Sequence, residues 1–227
     1  MGKNNDNAVI LFARDPVLGQ VKTRLSSSLD DEAIFRLYTC FVEDSLKKIR
    51  RVDNADCFVG VFPENYSGFF DGIVSSDMKI FEQQGNDLGE KMRSAFADRF
   101  KEGYEKVVII GSDSPSLPKC YIDKAFATSK DLVLGPSADG GYYLIAMTGK
   151  VFEVFTGVAW GTEKVLEETL KKVKDANISL ELLPVWYDVD LPEDLKFLKT
   201  HLALIALSGL DEGESVNTKK FIDELSF

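Results

Sequence analysis

The sequence predicts an α/β fold on a mostly parallel sheet, and three observations carry that prediction. Its apolar runs do not alternate: 7–13 reads Asn-Ala-Val-Ile-Leu-Phe-Ala and 107–110 reads Val-Val-Ile-Ile, as strands covered on both faces do. Between such runs lie segments of helical period, clearest over 30–51, where Ile34, Leu37, Tyr38, Phe41, Val42, Leu46 and Ile49 recur. Polar, glycine-containing turns follow the strands, which is where ligands sit in an open α/β sheet.

The chain has 227 residues, read here as a single domain over 1–227 with no linker or internal repeat to divide it. The net charge of -10 repels phosphate backbones and argues against nucleic acid as a partner. Cys40, Cys57 and Cys120 are odd in number and lack metal-ligand spacing, and the polar start 1–7 has no apolar signal region, so a cytoplasmic location is expected. No run is long enough to span a membrane, and Asp6 stands where a myristoylation signal needs Ser or Thr. The single histidine, His201, falls in a predicted helix far from the motifs, which argues against histidine triads and histidine-based zinc sites.

The first strand, 7–13, leads into Arg14-Asp-Pro-Val-Leu-Gly-Gln-Val-Lys-Thr-Arg-Leu25. Gly19 lets this loop turn back, while Arg14, Lys22 and Arg24 bring three cations to it; they either face an anion or are solvated charges on an ordinary loop. It is neither a Walker loop nor a G-x-G-x-x-G fingerprint. Strands are expected at 55–62 and 78–82, with a short aromatic insertion over 66–73 between them. Asn86 or Asp87 caps a helix running to about residue 102.

The strand 107–110 runs into Gly111-Ser-Asp-Ser-Pro115. Asp113 either caps that turn through its own backbone or faces a ligand at the rim of the sheet. A helix follows over 119–129, then a strand over 131–135, the turn Pro136-Ser-Ala-Asp-Gly-Gly141 and an aromatic strand over 142–147. Gly140 and Gly141 either supply positive φ in a hairpin or mark a close backbone approach. Trp160 looks exposed in a glycine-interrupted loop, and Thr162 is the expected cap of a helix over 163–174. A last strand over 182–189 ends in Asp188-Val-Asp190, whose two carboxylates project to one side; Asp190 either reaches a site or caps the helix over 193–207 that Pro192 opens. Residues 208–215 are flexible in composition, and a short helix is expected over 216–225.

Six motifs in this order, Phe12-Ala-Arg-Asp-Pro through Leu25, Gln84-Gly-Asn-Asp-Leu-Gly-Glu90, Gly111-Ser-Asp-Ser-Pro115, Asp139-Gly-Gly-Tyr142, Trp160-Gly-Thr162 and Asp188-Val-Asp190, resemble the nucleotide-diphospho-sugar transferase superfamily. The likeness is to its radical-SAM/selenodomain-associated glycosyltransferase-like family, related to 2-phospho-lactate guanylyltransferase. The resemblance covers nearly the whole chain. It implies a three-layer α/β/α sandwich of the GT-A type with a Rossmann-like sheet. It also implies a nucleotide or nucleotide-sugar donor near Ala13, Arg14, Gly19, Lys22, Arg24, Gly85, Asp87 and Ser112, and Mg2+ or Mn2+ at Asp113.

The turn reads Ser-Asp-Ser where many such enzymes show Asp-x-Asp. One carboxylate holds a hard divalent ion poorly, so Asp190, or less well Asp188, is the expected second ligand. Asp113 and Lys22 are the expected catalytic groups and Asp139 the candidate acceptor base. Gly140, Gly141, Tyr142 and Trp160 would face a small-molecule acceptor. The implied activity is metal-dependent sugar transfer from a nucleotide-diphospho-sugar. The rivals are nucleotidyl transfer with release of pyrophosphate, and nucleotide binding without turnover.

Overall fold

A computed structural model describes residues 3–63, 67–209, 213 and 215–225. Tyr66 and half of the polar segment 208–215 lie outside them. In chain order the strands are β1 (Asn7–Arg14), β2 (Ala55–Phe62), β3 (Lys79–Glu82), β4 (Lys106–Gly111), β5 (Leu132–Pro136), β6 (Tyr142–Thr148) and β7 (Leu180–Leu182). The helices are α1 (Asp31–Arg50), α2 (Phe69–Ile73), α3 (Leu88–Lys101), α4 (Lys119–Ala127), α5 (Val165–Asp175), α6 (Pro192–Ser208) and α7 (Val216–Glu224).

The strands form one sheet in the order β3-β2-β1-β4-β6-β5-β7. Every ladder is parallel except the two made by β6, which runs opposite to β4 and β5 between them. The unalternating runs have the cause expected of them. Val9, Leu11, Val108 and Ile110 face a core shared with α1, α4, α6 and α7, while Ala8, Ile10, Val107 and Ile109 face a second core with α3 and α5. Three layers follow, because a strand buried on both faces needs a helical cover on each. Fully burying one such side chain contributes about 1.5–3 kcal/mol, and 53 residues of apolar type are buried among the described residues.

The structure corrects four local expectations. The last strand is only Leu180–Leu182; Pro184 has no N–H for a ladder. The chain then leaves the sheet, touching it through an isolated bridge from Trp186 to Ser137. The aromatic insertion contains a helix, α2, fixed by the buried Phe70. Thr162 does not cap α5: the N-cap is Lys164, whose amide donates to the Thr162 hydroxyl at 3.3 Å. Trp160 is half-buried, with its ring against Tyr142 and Phe155 at 6.2 and 6.3 Å between centroids.

Candidate active site

The carboxyl ends of six parallel strands and the amino end of the reversed β6 make one rim, and the first loop, the β4 turn and the turn into β6 leave the sheet along it. Leu25 is fully buried and pins a short 3-10 helix, Thr23–Ser27, behind the first loop. Tyr38 of α1 then ties that loop to the β4 turn. Its hydroxyl accepts the Arg14 amide hydrogen at 2.8 Å and lies 3.0 Å from the Ser112 hydroxyl. Burial, with the nearby Asp113 charge, pushes this phenol up to about 12, so it stays a neutral linker.

Asp113 is half-buried at the tip of that turn, and the segment after β7 comes to meet it. The amide of Val189 donates to the Asp113 carbonyl at 2.9 Å. Asp188 and Asp190, expected to project together, take different partners. Asp188 accepts from Ser114 and, at 3.0 Å, from Ser137; burial first, then the charge of Asp113, raises its carboxyl to about 6. Asp190 instead faces Lys22. It is not the cap of α6, since Asp194 accepts the amides of Asp190 and Leu191 at 3.0 and 2.8 Å.

Lys22 stands between the two carboxylates, 2.5 Å from Asp113 and 2.7 Å from Asp190. Their bonded oxygens therefore lie no farther apart than those two contacts laid end to end. Burial alone would lower the Lys22 pKa, but the two carboxylates outweigh it and hold the ammonium well above its ordinary range. Its side chain is 6% exposed, against 46% for Asp113 and 39% for Asp190.

A second cationic group lies on the β2 side of the rim. Arg14 and Lys91 both lie over Phe62, at 5.6 and 3.3 Å from the ring centroid. Neither has a carboxylate within 4 Å among the described residues. Burial, with the Arg14 charge, lowers the Lys91 pKa. Lys91 was not anticipated as part of the site. The available signal was its place one turn before Ala95, on the buried stripe.

The other predicted residues take mixed places. Ala13 is buried, its carbonyl held at 3.4 Å by the Gln83 amide, which also bonds Gly60 at 2.8 Å. Gly19 and Arg24 are exposed on the first loop. Gly85 precedes α3, and Asp87 is its N-cap, accepting the Glu90 amide at 2.8 Å. Ser112 is buried behind Asp113. Asp139 is exposed and accepts the Gly141 amide at 3.0 Å. Gly140 has φ 93, and a Cβ there would come within 2.4 Å of the Glu163 carbonyl oxygen. Of the two alternatives at this turn, Gly140 shows both: a positive φ and a close backbone approach, which is to the segment just before α5. Tyr142 heads β6, and Trp160 lies on Gly89 of α3, where a Cβ would meet the indole nitrogen at 2.4 Å. That buried N–H has no hydrogen-bond partner among the described residues.

Among the described residues no group of three or more His, Cys, Asp or Glu side chains is arranged to hold a metal. Two adjacent carboxylates still fit an ion such as Mg2+, which keeps several waters and takes one or two carboxylates plus substrate phosphates. No described helix is long and apolar enough to cross a membrane.

Comparison with known proteins gives three findings. A family model described as an uncharacterized protein conserved in bacteria, DUF2064, matches residues 45–162. The curated proteins give no match. Among solved structures, one from Desulfovibrio desulfuricans G20, provisionally named a nucleotide-diphospho-sugar transferase, is 31% identical, with a TM-score of 0.82 over 94% of this chain and 98% of that one. A 4-diphosphocytidyl-2C-methyl-D-erythritol synthase from Anaerococcus prevotii DSM 20548 is 9% identical, with a TM-score of 0.56 over 87% of this chain and 97% of that one. A CMP:2-keto-3-deoxy-manno-octonic acid synthetase complexed with CTP is 10% identical, with a TM-score of 0.51 over 87% and 98%. The last two likenesses are of fold.

Proposed function

We propose that this chain, which belongs to the DUF2064 family, is a transferase that binds a nucleotide-diphospho-sugar at the carboxyl rim of its sheet and passes the sugar to a small-molecule acceptor. One observation carries the reading: Asp113, Asp190 and Lys22, far apart in sequence, meet near the middle of the rim, where β1 and β4 lie side by side. Two half-exposed carboxylates beside unneutralised cations are the complement of a diphosphate with its counter-ion. The provisional name of the 31% identical structure points the same way.

Loss of a nucleoside diphosphate places negative charge on the leaving oxygen. In this reading Lys22 and Arg14 receive that charge, and Lys91 holds the donor from the β2 side. Tyr38 keeps the first loop and the β4 turn in register, while the two serines on Asp188 fix the turn that carries Asp113. Asp113 and Asp190 would hold Mg2+ or Mn2+, which when bound supplies charge neutralisation at the phosphates. Asp139, exposed at the turn into β6, is the candidate acceptor base.

A second reading, nucleotidyl transfer from an NTP, is favoured by the lone carboxylate of the Ser112-Asp113-Ser114 turn, which lacks the Asp-x-Asp of many sugar transferases. Incubation with a panel of nucleotide sugars, and separately with NTPs and sugar phosphates, separates the two. Nucleoside diphosphate release is expected; pyrophosphate release selects the second reading. Turnover of no donor, or turnover undiminished in Asp113→Asn, would overturn both.

A further inference from the structure

The place between Asp113 and Asp190 holds a cation that the chain itself supplies. Lys22 reaches it from the first loop, loses nearly all its solvent exposure and bonds both carboxylates. The backbone is strained to bring it there. Lys22 has φ 45 and ψ 39, the left-handed region that disfavours any residue with a Cβ. A glycine would adopt that conformation freely, so the side chain's contacts are what hold it. Strain of this kind gathers at switch regions and ligand clamps.

The two carboxylates are not sealed as partners in a permanent structural ion pair. Each keeps more than a third of its side chain exposed while Lys22 is 6% exposed, so a ligand can approach them from the outside without opening the core. The residues that could compete for Asp188 are different ones, Ser114 and Ser137. Lys22 therefore can leave Asp113 and Asp190 with the supporting turn intact.

We infer that Lys22 is an exchangeable occupant of this cation seat: in the unliganded protein its ammonium holds Asp113 and Asp190, and a divalent ion takes the seat as Lys22 leaves it, a departure that a phosphate favours. The inference rests on the phosphate- and metal-binding reading above. Two cations cannot share the same two carboxylate oxygens at bonding distance without strong repulsion in a partly desolvated site. Occupancy by Lys22 thus weakens metal binding. A phosphate that draws Lys22 away strengthens it, and by linkage the metal strengthens phosphate binding by the same factor. Such couplings are typically about 5- to 150-fold. The device keeps the site from loading a bare ion and joins metal and donor binding into one event.

The full chain is titrated with Mn2+ alone, free ion being read by electron paramagnetic resonance. Lys22→Met should bind Mn2+ at least about tenfold more tightly than the parent, and Lys22→Arg, which keeps a cation in the seat, should not. Lys22→Gln repeats the measurement should the Met variant fold poorly, as judged by circular dichroism. A second readout tests movement in the parent itself. Reductive methylation followed by mass spectrometry should find Lys22 protected without metal and reactive at saturating Mn2+.

Equal Mn2+ affinity in parent and Lys22→Met, or Lys22 protection unchanged under bound Mn2+, overturns the exchange and leaves the metal reading standing. Absence of Mn2+ binding in every variant, with donor turnover intact, overturns the exchange together with the metal part of the proposed function.

Discussion

The two ends of the sheet treat a carboxylate in opposite ways. At the amino end, Asp56 of β2 is 7% exposed and fully engaged by neutral donors. It accepts from the Asn4 amide at 2.9 Å, the Asn5 side chain at 2.8 Å and the Tyr104 hydroxyl at 2.6 Å. Burial works against its charge, yet the hydrogen bonds from Tyr104, Asn4 and Asn5 prevail and lower its pKa. At the carboxyl end, Asp188 is raised to about 6 by burial and by the charge of Asp113, and Asp113 and Asp190 share one ammonium while staying open to solvent. One end has closed its charge with its own groups. The other leaves two half-exposed carboxylates on one ammonium, the pattern that the proposed function requires of a ligand site.

The comparison predicts which substitutions cost function and which cost stability. The largest effect is expected for Asp113→Asn. Donor turnover should fall by about 10²- to 10³-fold, as when one preorganised group at a transfer site is removed, with the thermal midpoint nearly unchanged. Unfolding of this variant would make Asp113 structural and erase the contrast between the two ends.

Next comes Lys91→Ala. It should weaken a nucleoside diphosphate by roughly 10- to 100-fold in calorimetric Kd and the bare nucleoside little, because a desolvated charge-assisted contact contributes about 1.5–3 kcal/mol. Equal loss for both ligands would remove Lys91 from the phosphate side. At the opposite end, Tyr104→Phe strips Asp56 of its shortest donor. It should lower unfolding free energy in urea by about 1.5–3 kcal/mol with turnover unchanged; lost turnover would show that the two ends are coupled.

The smallest effect is in the pH profile. Asp56 has a lowered pKa in the folded chain, so its stabilisation is fully present above the unfolded value of about 3.9 and is lost as pH falls through the folded value. Asp56→Asn has no such proton to bind. Its urea midpoint should therefore fall less steeply than the parent's below pH 4, and parallel curves would deny Asp56 its role.

Much of this was legible in the sequence because it depends on local period and on strand ends. Val107 to Ile110 announced a doubly covered strand, and Asp113 and Asp190 were expected on one rim; the shared contact with Lys22 brings them there. What resisted reading depends on long-range geometry. The left-handed backbone at Lys22 leaves no mark in a lysine codon for residue-type preferences to detect, and it turns a supposed phosphate ligand toward two acids. Lys91 went unmarked because nothing local says that it will lie over Phe62. The Asp139-Gly-Gly and Trp160 motifs were visible as constraints. The partners that impose them, Glu163 and Gly89, come from other segments.

The reversed strand β6 carries a further consequence, for the order in which the chain can assemble. As synthesis proceeds from the amino terminus, β3, β2, β1 and β4 can pair completely, since all their mutual ladders lie within that part of the chain. The free edge of β4 then waits, for its next neighbour is β6 and not β5, which emerges first and itself needs β6 as its bridge to the sheet. Until then an apolar strand presents an unpaired row of amides and carbonyls, the usual template for intermolecular pairing. Pulse-labelled hydrogen exchange during refolding reads this directly, with amides between β1 and β4 protected before those between β4 and β6. The same strand that completes the rim is thus the one that closes the nascent protein's most adhesive edge.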